Sequence, residues 1–169
     1  MRSLRDAATE FLALPRIAVA GASRDTTQPA NLIYRRLRET GHEVFPVNPR
    51  ADTVEGDACF SSVRDIPGGV DGVVIVTPPD ATLGVVADCV TAGVGHVWLH
   101  RGMGPGSTSQ AAVARCEEHG IDVIPGGCPN MFGATSDPGH RCMRVLLQAG
   151  GKIPRTVAEP RVAEEAVLD

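Results

Sequence analysis

Short runs of valine, isoleucine and alanine alternate along the chain with longer segments in which apolar residues recur at helical spacing. The runs are predicted strands at 16–20, 43–47, 72–76, 96–99 and 122–124. The longer segments are predicted helices at 4–14, 31–40, 80–92, 107–119 and 139–148. Strands that alternate with helices pair in parallel, and strands that are apolar on both sides are covered on both faces. The pattern predicts an α/β fold, a single Rossmann-like doubly wound parallel sheet of about five strands with helices on both faces.

The length of 169 residues fits one domain with one core. Hydrophobic residues make up 43% and charged residues 21%, which is typical of a globular protein. We expect the domain to span 1–150. The segment 151–169 contains prolines and charges, and we expect it to be a flexible C-terminal tail.

Composition also argues against several classes of partner. A formal net charge of −4 and an aromatic content of 4% do not favour a nucleic-acid surface. No apolar run approaches the roughly 20 residues that cross a bilayer, so we expect no membrane partner. The five cysteines form no CxxC pair, a pattern that favours reduced thiols and a cytoplasmic location.

Three loops follow predicted strands at the edge of the sheet where ligands of such folds bind. They are Gly21-Ala22-Ser23 after the first strand, Val47-Asn48-Pro49 after the second, and Thr77-Pro78-Pro79 after the third. Gly21 would let the backbone turn sharply and approach a phosphate, and the next helix would offer free N–H groups to it. Ser23 could add a hydrogen bond and Arg24 a charge. A glycine after a strand is, however, equally expected in a turn that binds nothing.

The first loop departs from the dinucleotide fingerprint of NAD enzymes. That fingerprint needs glycines two and five positions after Gly21, where this sequence has Ser23 and Thr26. It also needs an acidic residue after the second strand for the ribose hydroxyls, and the chain has Asn48 and Arg50 there. A basic residue suits the extra ribose phosphate of NADP or coenzyme A (CoA). The sequence therefore favours a nucleotide other than plain NAD.

The same loops and strands, in the same order, resemble the small bacterial CoA-binding protein family. The segments that carry the resemblance are 16–23, 33–37, 44–49, 73–79, 96–99 and 128–129. The likeness runs over about residues 10–131. That family is similar to the CoA-binding N-terminal domain of the succinyl-CoA ligase α subunit.

The resemblance implies that CoA is the bound cofactor and suggests a role for each loop. Gly21, Ala22 and Ser23 would hold the pyrophosphate, with Arg24 near it or near the ribose phosphate. Val47, Asn48 and Pro49 would flank the adenine and ribose, and Thr77, Pro78 and Pro79 would line the middle of the cofactor. Asn31 and Tyr34 would touch it from above. Arg50 stands in place of a phosphate-supporting lysine of the ligase.

The resemblance stops short of the ligase reaction. The ligase transfers phosphate through a histidine in a separate domain, and this sequence has no room for one. We therefore expect a protein that binds CoA or an acyl-CoA, without catalytic machinery of its own. The alternatives are an NAD(P)-binding redox protein or regulator and a partner-dependent acyl-CoA ligase subunit. A homodimer is a possible assembly of this protein.

The reactive side chains form no catalytic or metal constellation in the sequence. Cys128 would lie near the coenzyme thiol, but a buried, unreactive thiol is the favoured interpretation. Cys128, His140 and Cys142 lack the paired spacing of a zinc site. His100 and Arg101 would either contact the pantetheine arm or be solvated, and solvation is slightly favoured. Trp98 is expected in the core.

Overall fold

The computed structural model describes residues 1–160 of the chain. Its strands are β1 (Arg2–Ser3), β2 (Arg16–Ala20), β3 (Glu43–Val47), β4 (Thr53–Val54), β5 (Asp57–Ala58), β6 (Gly72–Ile75), β7 (His96–Leu99), β8 (Asp122–Pro125) and β9 (Thr156–Val157). Its helices are α1 (Leu4–Phe11), α2 (Pro29–Glu39), α3 (Pro79–Thr91), α4 (Gln110–Glu118) and α5 (Pro138–Ala149). Three short 3-10 turns lie between them, at Val63–Asp65, Pro129–Met131 and Gly133–Thr135.

Five of the strands form one parallel sheet in the order β3-β2-β6-β7-β8. Because all five run the same way, their carboxyl ends lie along one edge. The chain moves outward from β2 to β3, and then returns to place β6 on the other side of β2. The strand order therefore reverses between β2 and β6, the position where sheets of this kind bind ligands.

The sheet is covered on both faces because residues along each strand point alternately to opposite sides. Ile17 and Val19 of β2 pack in a core cluster with α1, α2 and α5. Ala18 and Ala20 of the same strand pack in a second cluster with α3 and α4. All four side chains are at most 1% exposed. This confirms the predicted doubly wound α/β fold. Trp98 is fully buried in the first cluster, as expected.

The domain extends past the predicted boundary at residue 150. Strand β9 pairs with β1 in an antiparallel sheet, and Ile153 and Val157 are each 2% exposed. The Leu4 N–H also donates to the Arg155 carbonyl at 2.9 Å. Residues 151–160, expected to begin a flexible tail, are thus held by buried apolar side chains and backbone pairing. Residues 161–169 of that predicted tail lie outside the described residues.

Strands β4 and β5 form a small hairpin that the sequence did not predict. Its turn consists of Glu55 and Gly56, both with positive φ. The hairpin lies against α2, where its acidic side chains make hydrogen bonds described below. Within residues 1–160, no helix combines the length and the apolar character needed to cross a membrane.

Candidate functional site

Two cavities open side by side along the carboxyl edge of the sheet. The first, about 820 Å³, lies over the ends of β2 and β3 and reaches the start of α3. The second, about 700 Å³, lies between α5, the start of α2 and the loop 100–107. Both are lined by Gln28, Val76, Thr77 and Pro78. The two cavities therefore form one groove across the strand-order reversal.

Gly21 holds the first loop close to the end of β6. Its φ is +98°, and a Cβ there would lie 2.4 Å from the Val76 carbonyl oxygen. Its N–H donates to the Val47 carbonyl at 3.0 Å. The glycine is thus required where the loop after β2 touches the chain leaving β6. Its missing side chain faces protein backbone, whereas the sequence suggested that it left space for a phosphate.

Asn31 fixes the conformation of the same loop. Its side chain is fully buried, and its Oδ1 accepts the Ser23 N–H at 2.9 Å. Its Nδ2 donates to the Ser23 carbonyl at 2.7 Å and to Glu55 of the hairpin at 2.8 Å. The N–H groups of Ala22 and Arg24 make no hydrogen bond within residues 1–160. Ala22 is fully buried, so of these two residues only the exposed Arg24 lies where an anion could approach its N–H.

Asn48 ties the end of β3 to this loop. Its Nδ2 donates to the Ala22 carbonyl at 2.7 Å, and its Oδ1 accepts the Arg50 N–H at 2.9 Å. The Arg50 side chain is exposed at the rim of the first cavity. The position that is acidic in NAD enzymes is therefore occupied by an amide that is already hydrogen-bonded on both sides.

The structure sorts the residues predicted for the site into two groups. The groove is lined by Gly21, Ser23, Val47, Asn48, Pro49, Arg50, Thr77, Pro78 and Pro79. It is not lined by Ala22, Arg24, Asn31 or Tyr34. Arg24 is exposed beside the groove and Ala22 is buried beneath it.

Tyr34 lies away from the groove, although the sequence suggested that it would touch the ligand. Its ring is fully buried in the first core cluster. Its hydroxyl donates to the Asp57 carboxylate of the hairpin. Burial, and then this carboxylate, raise the pKa of Tyr34 above its usual value. The residue attaches α2 to the hairpin.

The second cavity has largely apolar walls and a floor that the sequence did not predict. Met103, Met131, Met143 and Leu32 line it, and Asn130 and His140 face it from the segment after β8. These residues come from four separate segments, so sequence spacing gives no sign that they meet.

The loop after β7 closes one side of this cavity. Gly106 has a φ of +69°, and a Cβ there would lie 2.6 Å from the His100 carbonyl oxygen. Ser107 donates its N–H to that carbonyl at 2.7 Å and its hydroxyl to the Thr77 carbonyl at 2.6 Å. The alternating glycines at 102, 104 and 106 are the signal in the sequence that could have predicted this tight loop.

Burial changes the acidity of two side chains in the second cavity. Burial, followed by the nearby charge of His140, lowers the pKa of His100 to about 4. The ring is therefore neutral at pH 7 and is not the solvated residue that the sequence favoured. Burial raises the pKa of the Cys128 thiol to about 12, so it stays protonated. This agrees with a buried, unreactive cysteine.

The described part of the groove contains no cluster of metal-binding side chains. Across residues 1–160, no three histidine, cysteine or acidic side chains come together in a way that could hold a metal ion. The His140 Nδ1 lies 2.6 Å from the Asp137 Oδ2. The Asp137 Oδ1 accepts the His140 N–H and so caps the start of α5. The pair is accounted for by helix capping.

Comparison with known proteins agrees with this geometry. Residues 15–134, most of the chain, match the sequence profile of a family described as CoA binding domain. The chain belongs to this CoA-binding domain family. The matched range includes every strand of the parallel sheet and all the segments that line the groove, apart from α5. The resemblance seen in the sequence is thereby confirmed.

Several relatives of this CoA-binding domain are ligases. This chain is 32% identical over 116 residues to ADP-forming acetate–CoA ligase II of Archaeoglobus fulgidus, and the match covers 64% of this chain and 17% of the ligase. It is 38% identical over 90 residues to the α subunit of ADP-forming acetate–CoA ligase II of Pyrococcus furiosus, covering 52% of this chain and 20% of the subunit. The chain thus spans about a fifth or less of these two relatives.

A solved structure matches the domain over most of its length. A hypothetical protein from Pyrococcus horikoshii OT3 superposes with a TM-score of 0.69 at 28% identity. The match covers 74% of this chain and 86% of that protein. The fold described above therefore also occurs in that protein.

Proposed function

We propose that this CoA-binding domain binds CoA or an acyl-CoA along the groove. The nucleotide half would occupy the first cavity, and the pantetheine arm would cross Thr77 and Pro78 into the second. The observation that carries the proposal is that the two cavities share these residues while differing in character. The first is lined by polar loop residues, among them Ser23, Asn48 and Arg50, and the second is walled by methionines. CoA has the same division into a charged nucleotide and a mostly apolar arm.

The first cavity suits the phosphates of CoA better than those of NAD. The loop held by Asn31 places Ser23 in the lining of the groove, where its hydroxyl can donate to a pyrophosphate, with Arg24 exposed beside it. Arg50 and Arg24 are the cations available for the additional ribose phosphate. Asn48, whose amide is occupied on both sides, offers no carboxylate to a free pair of ribose hydroxyls. These contacts favour CoA over the redox alternative.

A titration calorimetry panel tests the proposal. CoA, dephospho-CoA, NADP and NAD would each be titrated at fixed salt. We expect saturable binding of CoA, weaker binding of dephospho-CoA and no heat from NAD. Binding of NAD or NADP with silent CoA would overturn the proposal and favour a redox protein or regulator.

An arginine variant locates the ribose phosphate. Arg50→Gln should weaken CoA binding about tenfold or more, since a hydrogen bond to a charged group contributes about 1.5–3 kcal/mol. It should leave dephospho-CoA nearly unchanged. Arg115→Gln, an exposed position on α4, is the matched control and should change neither ligand. Equal loss for both ligands would place Arg50 away from this phosphate.

A second candidate is a CoA-binding subunit of an acyl-CoA ligase whose catalytic parts lie on a partner. The likeness to the Pyrococcus furiosus ligase α subunit favours it. Val145 and Leu146 on α5 are 60% and 67% exposed, and such apolar side chains could contact either a partner or a second copy. Light scattering after size-exclusion chromatography would separate a homodimer from a monomer that awaits a partner.

We further propose a cytoplasmic setting, supported by five free cysteines.

A further inference from the structure

Asn130 has a buried side chain with no hydrogen-bond partner. The residue is 1% exposed, and neither its Oδ1 nor its Nδ2 is hydrogen-bonded within residues 1–160. Asn31 and Asn48 in the same groove region use their amides fully in holding loops. A buried amide without partners is costly, so its presence calls for an explanation. Asn130 lines the second cavity, where a ligand could supply both partners.

The surroundings of Asn130 define what that ligand can be. Among the described residues that line the second cavity there is no lysine or arginine. His100 is uncharged at pH 7 because its pKa is lowered, and His140 is paired with the Asp137 carboxylate. Met103, Met131 and Met143 supply flexible apolar surface. The cavity therefore suits an uncharged group that carries one hydrogen-bond donor and one acceptor.

We propose that Asn130 and the second cavity recognise the thioester of an acyl-CoA that has an uncharged acyl group. This inference rests on the proposed function. The arm of CoA ends in an amide N–H, two methylenes and the sulfur, and an acyl-CoA adds a carbonyl directly after the sulfur. The Asn130 Oδ1 accepts the amide N–H, and its Nδ2 donates to the thioester carbonyl. The methionines surround the acyl chain.

Two preferences follow from this arrangement. Free CoA has no carbonyl after its sulfur, so it leaves the Asn130 Nδ2 buried and unpaired, and it binds more weakly than an acyl-CoA. A dicarboxylic acyl group such as succinyl brings a carboxylate into a cavity without a free cation. Because burial of an unpaired charge is strongly unfavourable, succinyl-CoA binds more weakly than butyryl-CoA.

Calorimetry with CoA, butyryl-CoA and succinyl-CoA tests the inference on the wild-type protein and on Asn130→Leu. We expect butyryl-CoA to bind the wild type about tenfold more tightly than CoA does, the effect of one hydrogen bond and a buried chain. In Asn130→Leu the share of this preference that comes from the hydrogen bond should be lost, while the share that comes from the buried chain remains. Asn130→Ala, which cannot overfill the cavity, provides the same comparison should leucine prevent folding.

Thermal melting separates recognition of a ligand from a structural role. Asn130 has no hydrogen bond to lose, so Asn130→Leu, whose side chain is of similar size, should melt no lower than the wild type without ligand. Asn31→Leu removes three hydrogen bonds and is the matched control, expected to melt lower. Absence of any CoA binding would refute the proposed function itself. CoA binding with no butyryl-CoA preference, or a preference that is undiminished in both Asn130 variants, would refute only the inference drawn here.

Discussion

Replacing Gly21 with alanine should destabilise the domain through two separable effects. At a φ of +98° an L residue is strained, at a cost of about 1–3 kcal/mol. In addition, the new Cβ would lie 2.4 Å from the Val76 carbonyl oxygen, well inside contact distance. Relief requires the backbone after β6 to move, although the Val76 N–H is held by the Ala20 carbonyl at 2.8 Å. Overpacking of this kind costs about 1–3 kcal/mol.

Gly41→Ala isolates the second effect. Gly41 has a φ of +91°, close to that of Gly21, but a Cβ there would meet no atom within 4 Å. Both variants share the backbone strain and the reduced freedom of the unfolded chain. The free energy of unfolding should therefore fall about 1–3 kcal/mol further in Gly21→Ala than in Gly41→Ala.

Urea unfolding followed by fluorescence measures this difference. Trp98 is the only tryptophan and is fully buried, so its emission reports on loss of the core. Equal destabilisation of the two variants, within about 0.5 kcal/mol, would refute the close approach of the first loop to β6. Gly21→Ala should also weaken CoA binding, because the displaced loop carries Ser23, which lines the first cavity.

Three further predictions concern other parts of the groove. Because the folded-state pKa of His100, about 4, lies below its ordinary value of 6.5, the unfolded state binds more protons between these pH values. The wild type should thus lose more stability than His100→Asn as pH falls from 6.5 towards 4, and parallel losses in urea titrations would contradict this. At pH 8, iodoacetamide should label exposed Cys142 long before buried Cys128, as measured by peptide mass spectrometry. Equally fast labelling of both would contradict the raised pKa of Cys128. Asn48→Ala should lower the free energy of unfolding by about 1–2 kcal/mol and weaken CoA, since it removes two hydrogen bonds, and unchanged values of both would exclude its role in holding the loop.

The sheet could be predicted from the sequence because its strands are buried on both faces. Strands β2 and β3 have the predicted limits, and β6 and β8 differ from prediction by one residue at one end. Helix starts were less accurate. Helix α2 begins at Pro29 rather than at residue 31, because proline is well suited to the first helical position. Helix α3 likewise begins at Pro79, one residue before its predicted start at residue 80.

The roles of individual site residues depended on partners that are distant in sequence. Asn31 and Tyr34 turn away from the groove because Ser23 and the hairpin residues Glu55 and Asp57 offer them hydrogen bonds. Nothing in the local pattern of α2 distinguishes such inward polar residues from ligand contacts. The hairpin itself is only two residues per strand, too short for an alternating pattern to be visible.

The second cavity shows the same limit on a larger scale. Its walls combine the start of α2, the loop after β7, the turn at Asn130 and helix α5. The sequence directed attention to the three loops of the first cavity because they follow strands directly. Asn130 lies in an irregular segment, and only its burial without partners marks it as a ligand contact.

A crystal structure of the protein with CoA tests the central claim most directly. The account predicts the pyrophosphate against the loop 21–24, the ribose phosphate towards Arg50, and the arm crossing Thr77 and Pro78 to end beside Asn130. CoA bound elsewhere on the domain, or an arm that leaves the groove before Thr77, would contradict it.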